Sequence, residues 1–414
     1  MHQKRISLFG YGITTRAIAK QFGPFTFYDD KVLKPFTDGD GNRIRPTDEF
    51  DPRYSDLEIP SPGIPPKHSL IQSAEHLVSE YDLFLSPLMR APFTPARKPL
   101  TVWITGTNGK TTTTQMITHL LADKGAVSGG NIGTPLAALD PDAPIWVLET
   151  SSFTLHYTRE AKPDLYVVLP ITPDHLSWHG TEQAYIDDKL KPLQQMREGE
   201  AVLLPRACDE TPTDGFVIPY GDAEELAAYF GFDLEKIRFR GAFLLDALLA
   251  MAVDRLLFDR IDYEKMNAFL LDPHRQEELT DARGRLWIND TKATNIDAAL
   301  AAVRRYGDRP MHLIVGGDDK GVDMEPLFEA LQPYSVTLYT IGSNRERLDA
   351  LAERFRIPYE SCGVLDEAVR RINLAHTAES VALLSPACAS LDQFPSYAVR
   401  GDSFKSAVRD LPAD

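Results

Sequence analysis

Cysteine is nearly absent from the 414-residue chain: Cys208, Cys362 and Cys388 are too few and too scattered for a disulfide framework or a zinc site. Long apolar runs are missing as well. None approaches the roughly 20 residues of a membrane-spanning helix, so no membrane insertion is expected. Positive charge is in deficit, with 44 Lys and Arg against 60 Asp and Glu and a net charge of −16. That balance argues against a nucleic-acid coat or an anionic-membrane protein, and no nucleic-acid partner is expected. A local basic pocket for a phosphorylated small molecule remains compatible with it. Internal repeats and low-complexity tails are also absent. The start, Met1 to Gly10, is basic then briefly apolar like the first half of a signal peptide, but the apolar stretch breaks at Gly10 and Gly12. A first strand is the better reading. What the chain does have is 43 % apolar residues and length for two to four domains at roughly 100–200 residues each. A cytoplasmic, multidomain protein is expected.

Short β-rich apolar runs alternate with helical patterns along almost the whole chain, the mark of α/β domains with largely parallel sheets. Strand Ile6–Phe9, a glycine turn, helix Thr15–Phe22 and strand Phe25–Tyr28 open it. From Lys34 to Pro66 the abundance of Pro, Gly and Asp predicts loop. The prolines of Ala91–Pro99 predict a linker. A second block holds strands Leu100–Thr105, Ile145–Glu149 and Leu165–Leu169 and ends with a long helix, Phe243–Phe258. In the last block strands Arg285–Ile288, His312–Val315, Thr337–Ile341 and Val381–Leu384 alternate with helices Ile296–Tyr306, Met324–Leu331, Arg345–Arg356, Leu365–Ala375 and Arg400–Asp410. The expected organisation is three α/β domains, 1–98, 99–271 and 272–414.

The sharpest local signal is Gly106-Thr107-Asn108-Gly109-Lys110-Thr111-Thr112, set between a strand and a helix with an apolar stripe of Met116, Ile117, Leu120 and Leu121 that Gly125 ends. Such glycines let backbone N–H groups close around phosphate oxygens. The helix N-terminus adds positive potential, Lys110 pairs with the outer phosphates, and Thr111 offers a hydroxyl to magnesium. The spacing is two residues shorter than the usual P-loop. A plain glycine turn before a capped helix is the bland alternative; ATP binding is the expectation. Glu149 ends a strand of the same sheet, where open α/β sheets bind ligands, and it suits either a magnesium site or a helix N-terminus. Asp174-His175 follows another strand; taken alone, His175 reads equally as a structural residue. Lys189 lies on a helical stretch and reads by spacing as a solvated charge.

Together the motifs resemble the Mur ligase family of bacterial cell-wall synthesis. They are Gly106-Thr-Asn-Gly-Lys-Thr111, Gly130-Asn-Ile-Gly133, Glu149-Thr-Ser-Ser-Phe153 and Asp174-His175, followed by Pro273-His-Arg275-x-Glu277, Asn289-Asp-Thr-Lys-Ala-Thr-Asn295, Gly316-Gly-x-x-Lys320-Gly-x-Asp323 and Ser385-Pro-Ala-Cys-Ala-Ser390. The match is collinear to the C-terminus. The resemblance implies a Rossmann-like UDP-binding domain, a central P-loop-type ATPase domain with a mostly parallel sheet, and a Rossmann-like C-terminal domain that docks the amino acid. The two motifs Asn289–Asn295 and Ser385–Ser390 are most similar to those of the family's D-glutamate-adding branch. The implied reaction is ATP-driven joining of D-glutamate to UDP-N-acetylmuramoyl-L-alanine through an acyl phosphate, by a monomer.

The resemblance assigns the loop Gly106–Thr112 to ATP, with Lys110 and Thr111 at its phosphates and at a first magnesium that Glu149 shares. His175 matches a ligand of a second magnesium, and Lys189 a lysine carried as a carbamate. Arg275 and Asp290 match residues touching ATP. Gly12, Ile13, Thr14, Asp30, Lys31, Ser61 and Asn131 match the UDP-sugar site. Lys292, Thr294, Lys320, Ser390, Leu391 and Tyr397 match the D-glutamate pocket. There are departures. Pro170 stands where the family commonly has Asn and Ser177 where it has Asp, and the His-Asn pair before the last central helix gives way to Gly241-Ala-Phe-Leu-Leu-Asp246. Asp246 is then the residue in the place of the family Asn near the adenine. Three rival readings are a folylpolyglutamate-synthase-like ligase, which has no need of the first domain, a non-catalytic nucleotide sensor, which has no need of Lys110, Glu149, His175 and Lys189 together, and a generic P-loop kinase, which leaves the C-terminal motifs without a role.

Overall fold

The structure, a computed structural model, describes residues 5–86, 98–131 and 133–412. It contains three sheets. The first has strands β1 (Ile6–Phe9), β2 (Thr26–Tyr28), β3 (Phe36–Thr37), β4 (Arg43–Arg45) and β5 (Leu57–Pro60) in the order β3-β4-β2-β1-β5. The second has β6 (Leu100–Thr105), β7 (Ala126–Gly130), β8 (Ile145–Glu149), β9 (Leu165–Val168), β10 (Ala201–Pro205) and β11 (Phe216–Tyr220), ordered β11-β10-β9-β6-β8-β7 and parallel throughout. The third has β12 (Glu277–Thr280), β13 (Leu286–Asn289), β14 (Met311–Gly316), β15 (Val336–Ile341), β16 (Tyr359–Gly363) and β17 (Val381–Leu384), ordered β12-β13-β17-β14-β15-β16. Only β12, a half-exposed edge strand, runs antiparallel there.

The sequence pattern accounts for the central strands. Residues 101–105 of β6 and all of β8 are buried, as a parallel sheet covered on both faces requires. The stretch Lys34–Pro66, expected as loop, contains β3, β4 and β5. In β4 only Ile44 is buried between two arginines, and in β5 the buried Glu58 interrupts the apolar run while its Oε2 accepts from the His76 amide. Polar residues hid both strands. The linker expected at Ala91–Pro99 lies mostly outside the described residues.

The chain forms two compact units, the first running to Phe269 and the second starting at Leu270. The first unit contains both of the first two sheets because one apolar core runs through them. Helix Glu80–Leu85 is the bridge, with all six residues buried. Phe84 lies 5.8 Å from Phe22 of helix Ile13–Phe22, and Tyr81 meets Trp103 of β6 edge-on at 4.8 Å. The polar atoms of this helix are matched as closely. Asp82 accepts the backbone N–H groups of Arg159, Glu160 and Ala161 at 2.7–2.8 Å, and Glu80 accepts that of Ala137. The second unit packs its helices on a sheet with apolar clusters on both faces.

Candidate active site

In the second sheet the chain passes from β6 to β7 and β8 on one side and to β9 on the other. The carboxyl ends of β6, β8 and β9 therefore meet at a topological switch point. The loop after β6 enters helix Lys110–Leu120 through Gly109, whose φ of 82° is left-handed and whose Cβ, were there one, would lie 2.5 Å from Asp246 Oδ1. A side chain at Gly106 would come within 2.4 Å of Leu169 Cβ. Lys110 Nζ folds back to donate to the carbonyls of Gly106 (2.9 Å) and Thr107 (2.7 Å). Lys189 Nζ donates to the same Gly106 oxygen at 2.8 Å, and Lys189 is only 1 % exposed. Burial, with the charge of Lys110 second, holds the Lys189 amine well below its ordinary value. The expected solvated charge is in fact interior. Thr111 lies half-buried in the helix's first turn; Thr112 is buried.

Glu149, at the end of β8, is buried. Asn131 Nδ2 donates to its Oε1 at 2.6 Å, and Oε2 has no hydrogen-bond partner among the described residues. A buried carboxylate oxygen left unpaired is costly unless a cation meets it. Among the described residues no three His, Cys, Asp or Glu side chains converge as a ready metal cage. Magnesium fits such a sparse donor set, because it usually takes one or two carboxylates and completes its shell with phosphates and water. Thr107 binds this edge to the segment after β9, donating its hydroxyl to Thr172 O at 2.8 Å and its N–H to Pro170 O at 3.2 Å. Pro170 serves through its carbonyl. His175 has a φ of 52°, starts the short helix Leu176–His179 and meets Phe153 edge-on at 4.8 Å. The Ser177 side chain lies outside what is described. Asp246, on helix Ala242–Phe258, accepts from Thr113 Oγ1 at 3.1 Å and so touches the first turn of the phosphate-loop helix.

A cluster that sequence reasoning missed lies beside these groups. The Asp188 carboxylate accepts from His156 Nδ1 and from His179 Nδ1, each at 2.9 Å, and His179 Nε2 lies 2.9 Å from Ser152 Oγ. Burial alone would raise the Asp188 carboxyl, but the two imidazoles outweigh it and hold it below the usual range.

In the first sheet Ser61 packs over the Gly10–Gly12 turn, its Oγ 3.3 Å from where a Gly12 Cβ would be. Ile13 is exposed, Thr14 is half-buried, and Asp30 pairs with His68 at 2.8 Å beside the exposed Lys31. Asn131 lies at Glu149, in the second sheet.

In the second unit, Arg275 is half-buried between two left-handed residues, His274 and Gln276. Burial pushes the Asp290 carboxyl up to about 7, while Ser385 Oγ donates to it at 2.7 Å. Lys292 Nζ sits 4.0 Å over the Tyr397 ring, and an isolated bridge between Asp318 and Ala389 brings the Lys320 loop beside Ser390. Thr294 is half-buried and Leu391 exposed. Arg400, another residue not anticipated, ties these loops together. Its buried guanidinium donates to Thr291 Oγ1 and O and to the carbonyls of Cys388 and Ala389, and burial lowers it to about 10. The available signal was its place on an apolar stripe with Phe404 and Val408 of helix Tyr397–Arg409.

With this geometry in view, two family descriptions match: Mur ligase middle domain over residues 104–236, and Mur ligase, glutamate ligase domain over residues 274–388. The chain belongs to the Mur ligase family. It is 52 % identical over 411 residues to the UDP-N-acetylmuramoylalanine–D-glutamate ligase of Campylobacter jejuni, covering 98 % of this chain and 100 % of that one. The enzyme of the same name from Helicobacter pylori is 44 % identical over 424 residues, with 98 % and 99 % covered. Among solved structures, the MurF ligase of Thermotoga maritima in complex with ADP shares the fold, with a TM-score of 0.56, 17 % identity, and 82 % and 89 % covered. So does the MurC ligase of Thermotoga maritima, with a TM-score of 0.55, 14 % identity, and 98 % and 99 % covered. Mur ligases use ATP and magnesium, and this chain is a ligase of that kind.

Proposed function

We propose that the protein joins D-glutamate to UDP-N-acetylmuramoyl-L-alanine, releasing ADP and phosphate, as a monomer in the cytoplasm. The observation that carries the reading is the pair of lysine amines on the Gly106 carbonyl, set at a helix N-terminus beside the unpaired oxygen of Glu149. Phosphate oxygens are the natural partners of such a seat, and a carboxylate left open there suits the cation that accompanies them.

A carboxylate is a poor electrophile at neutral pH. In the first step the terminal carboxylate oxygen of the L-alanyl group attacks the γ-phosphorus of ATP, and the bond to ADP breaks. Lys110 and the backbone amides of Gly106–Thr112 hold the phosphates and offset the charge that gathers between the two anions. The D-glutamate amine then attacks the acyl carbon, phosphate leaves with the electron pair, and the amine gives up its proton. Thr111, Glu149 and His175 would hold magnesium, which supplies charge neutralisation at the phosphates. The depressed Lys189 amine supports a carbamate: the neutral amine would add to CO₂ and lose a proton, and Lys189 would then offer oxygens that suit a second magnesium.

Gly12, Ile13, Thr14, Asp30, Lys31, Ser61 and Asn131 are assigned to the UDP-sugar. Arg275 and Asp290 are assigned to ATP, and Lys292, Thr294, Lys320, Ser390, Leu391 and Tyr397 to D-glutamate. The test is phosphate release from ATP and magnesium with UDP-N-acetylmuramoyl-L-alanine, comparing D-glutamate, L-glutamate and no amino acid, with the product weighed. Release that needs both substrates and the D-isomer supports the reading; release with a folate and L-glutamate alone refutes it.

A further inference from the structure

We propose that His179 is a positioning residue: held between Asp188 and Ser152, it locks together the three segments that carry Glu149, His175 and Lys189, and its two hydrogen bonds set the enzyme's magnesium requirement. This rests on the metal-site assignment just made. Each bond partner belongs to a different segment. Ser152 follows Glu149 by three residues as the chain leaves β8. His179 ends the short helix that His175 begins. Asp188 immediately precedes Lys189 on helix Glu182–Leu190. Neighbours on a helix point about 100° apart. So while Lys189 reaches inward to the Gly106 carbonyl, Asp188 is free to hold the imidazoles.

The direction of the bonds follows from the chemistry. An ionised carboxylate only accepts, so both Nδ1 atoms facing Asp188 carry protons. In the neutral ring His179 Nε2 then accepts from the Ser152 hydroxyl. The His179 side chain is wholly buried, stacked on Phe153 at 5.6 Å and 20° and flanked by Trp178 at 4.5 Å and Tyr185 at 5.2 Å. Water does not compete for these bonds, which strengthens them. The turn they hold needs such support. His175 sits in the left-handed region, a strained conformation for a residue other than glycine. Within the turn itself the amides of Trp178 and His179 donate to His175 O at 3.0 and 3.1 Å.

The cluster also reaches the loop assigned to the sugar nucleotide. Trp178 Nε1 donates to Gly63 O at 3.2 Å and Tyr157 Oη to Ile64 O at 2.6 Å, and both rings lie against His156 at 5.0–5.1 Å. The order Ser–His–Asp is that of a hydrolytic triad, yet Ser152 is buried at 3 % exposure, so a nucleophilic role is closed to it. What is left for the chain of bonds is alignment; direct partners of metal ligands typically govern about 10–100-fold in metal affinity or activity, and His179 stands one bond further out.

The test uses the full-length protein and three variants. His179→Phe keeps a flat ring and removes both bonds, His179→Asn restores a donor toward Asp188, and Ser152→Ala removes only the far bond. Three readouts are taken: the magnesium concentration giving half-maximal phosphate release, the melting-temperature rise produced by ATP with magnesium, and the carbamate signal at Lys189 with ¹³C-bicarbonate. In His179→Phe the half-maximal magnesium concentration is expected to rise about 3–10-fold, at or below the lower end of what direct partners of metal ligands govern. The melting rise and carbamate signal should shrink, the KM for D-glutamate should stay within about twofold, and His179→Asn should recover most of the loss. An unchanged magnesium requirement in a folded His179→Phe protein overturns the proposal. So does a loss that tracks the melting temperature without ligands, since a purely structural role predicts that. Should His179→Phe fail to fold, Ser152→Ala decides: a several-fold rise in required magnesium supports the relay, and none overturns it. Wild-type protein without D-glutamate-dependent turnover would refute the functional reading alone, because the ATP–magnesium melting rise still reads the relay.

Discussion

Replacing Glu80 by Gln is expected to stabilise the first unit, and to do so increasingly as pH rises. Glu80 is fully enclosed where helix Glu80–Leu85 meets residues 136–137. Burial pushes its carboxyl from the ordinary 4.5 up to about 8, with the N–H groups of Ala137 and Leu136 offsetting only part of the effect. A carboxyl raised in the folded state stays protonated while the unfolded chain ionises. Its contribution is therefore full below pH 4.5 and is lost as pH climbs towards 8; above that, both states are ionised and the loss is complete. At about 1.4 kcal/mol per pH unit over roughly 3.5 units, the loss is on the order of 4–5 kcal/mol. Gln cannot ionise and removes the slope, at the cost of a pH-independent offset from its own hydrogen bonding. Hydrogen exchange of peptides spanning 80–86 and 136–139, in wild type and variant at pH 5, 6.5 and 8.5, reads the difference locally and avoids treating two units as one transition. A wild-type-minus-variant gap that stays flat from pH 5 to 8.5 would refute the burial argument.

Other perturbations test the site and the interface. Lys110→Ala should lower turnover by about 10²–10³-fold or more with the melting temperature nearly unchanged; substantial activity in a phosphate-release assay would dismiss the phosphate seat. Lys189→Ala should be largely inactive and partly rescued by formate or acetate, which can supply the missing carboxylate, and absence of rescue would count against the carbamate. Asp82→Ala leaves the amides of Arg159, Glu160 and Ala161 without their acceptor and should destabilise the first unit by about 3–5 kcal/mol in urea melts. Asp82→Asn should cost less, and a loss equal to that of Asp82→Ala would show that an uncharged oxygen acceptor recovers nothing and refute this ordering.

Local chemistry was legible in the sequence where a motif follows an apolar strand. Gly106–Thr112 after β6 and Glu149 at the end of β8 announce themselves because the strands that aim them are continuous apolar runs. The strands β4 and β5 were not legible, since Arg43, Arg45 and the buried Glu58 break the pattern that marks a strand. Lys189 reads as a solvated charge in any window of its own helix; its burial is created by a carbonyl 83 residues earlier in the chain. The Ser152–His179–Asp188–His156 cluster joins residues up to 32 positions apart, a spacing no motif encodes. Arg400 was the one case where a sign existed and was passed over, a charge on the apolar face of an amphipathic helix.

Helix Glu80–Leu85 also limits how this ligase can be recombined. Its six buried residues and their polar anchors at 136–137 and 158–161 make the first two sheets a single folding inheritance. A chimera that exchanges the segment carrying the first sheet at the proline-rich junction would graft a helix onto a socket shaped for another sequence. An exchange that carries Ser79–Ser86 together with its socket respects the seam that the packing itself draws, and the C-terminal unit beginning at Leu270 is the natural place to cut.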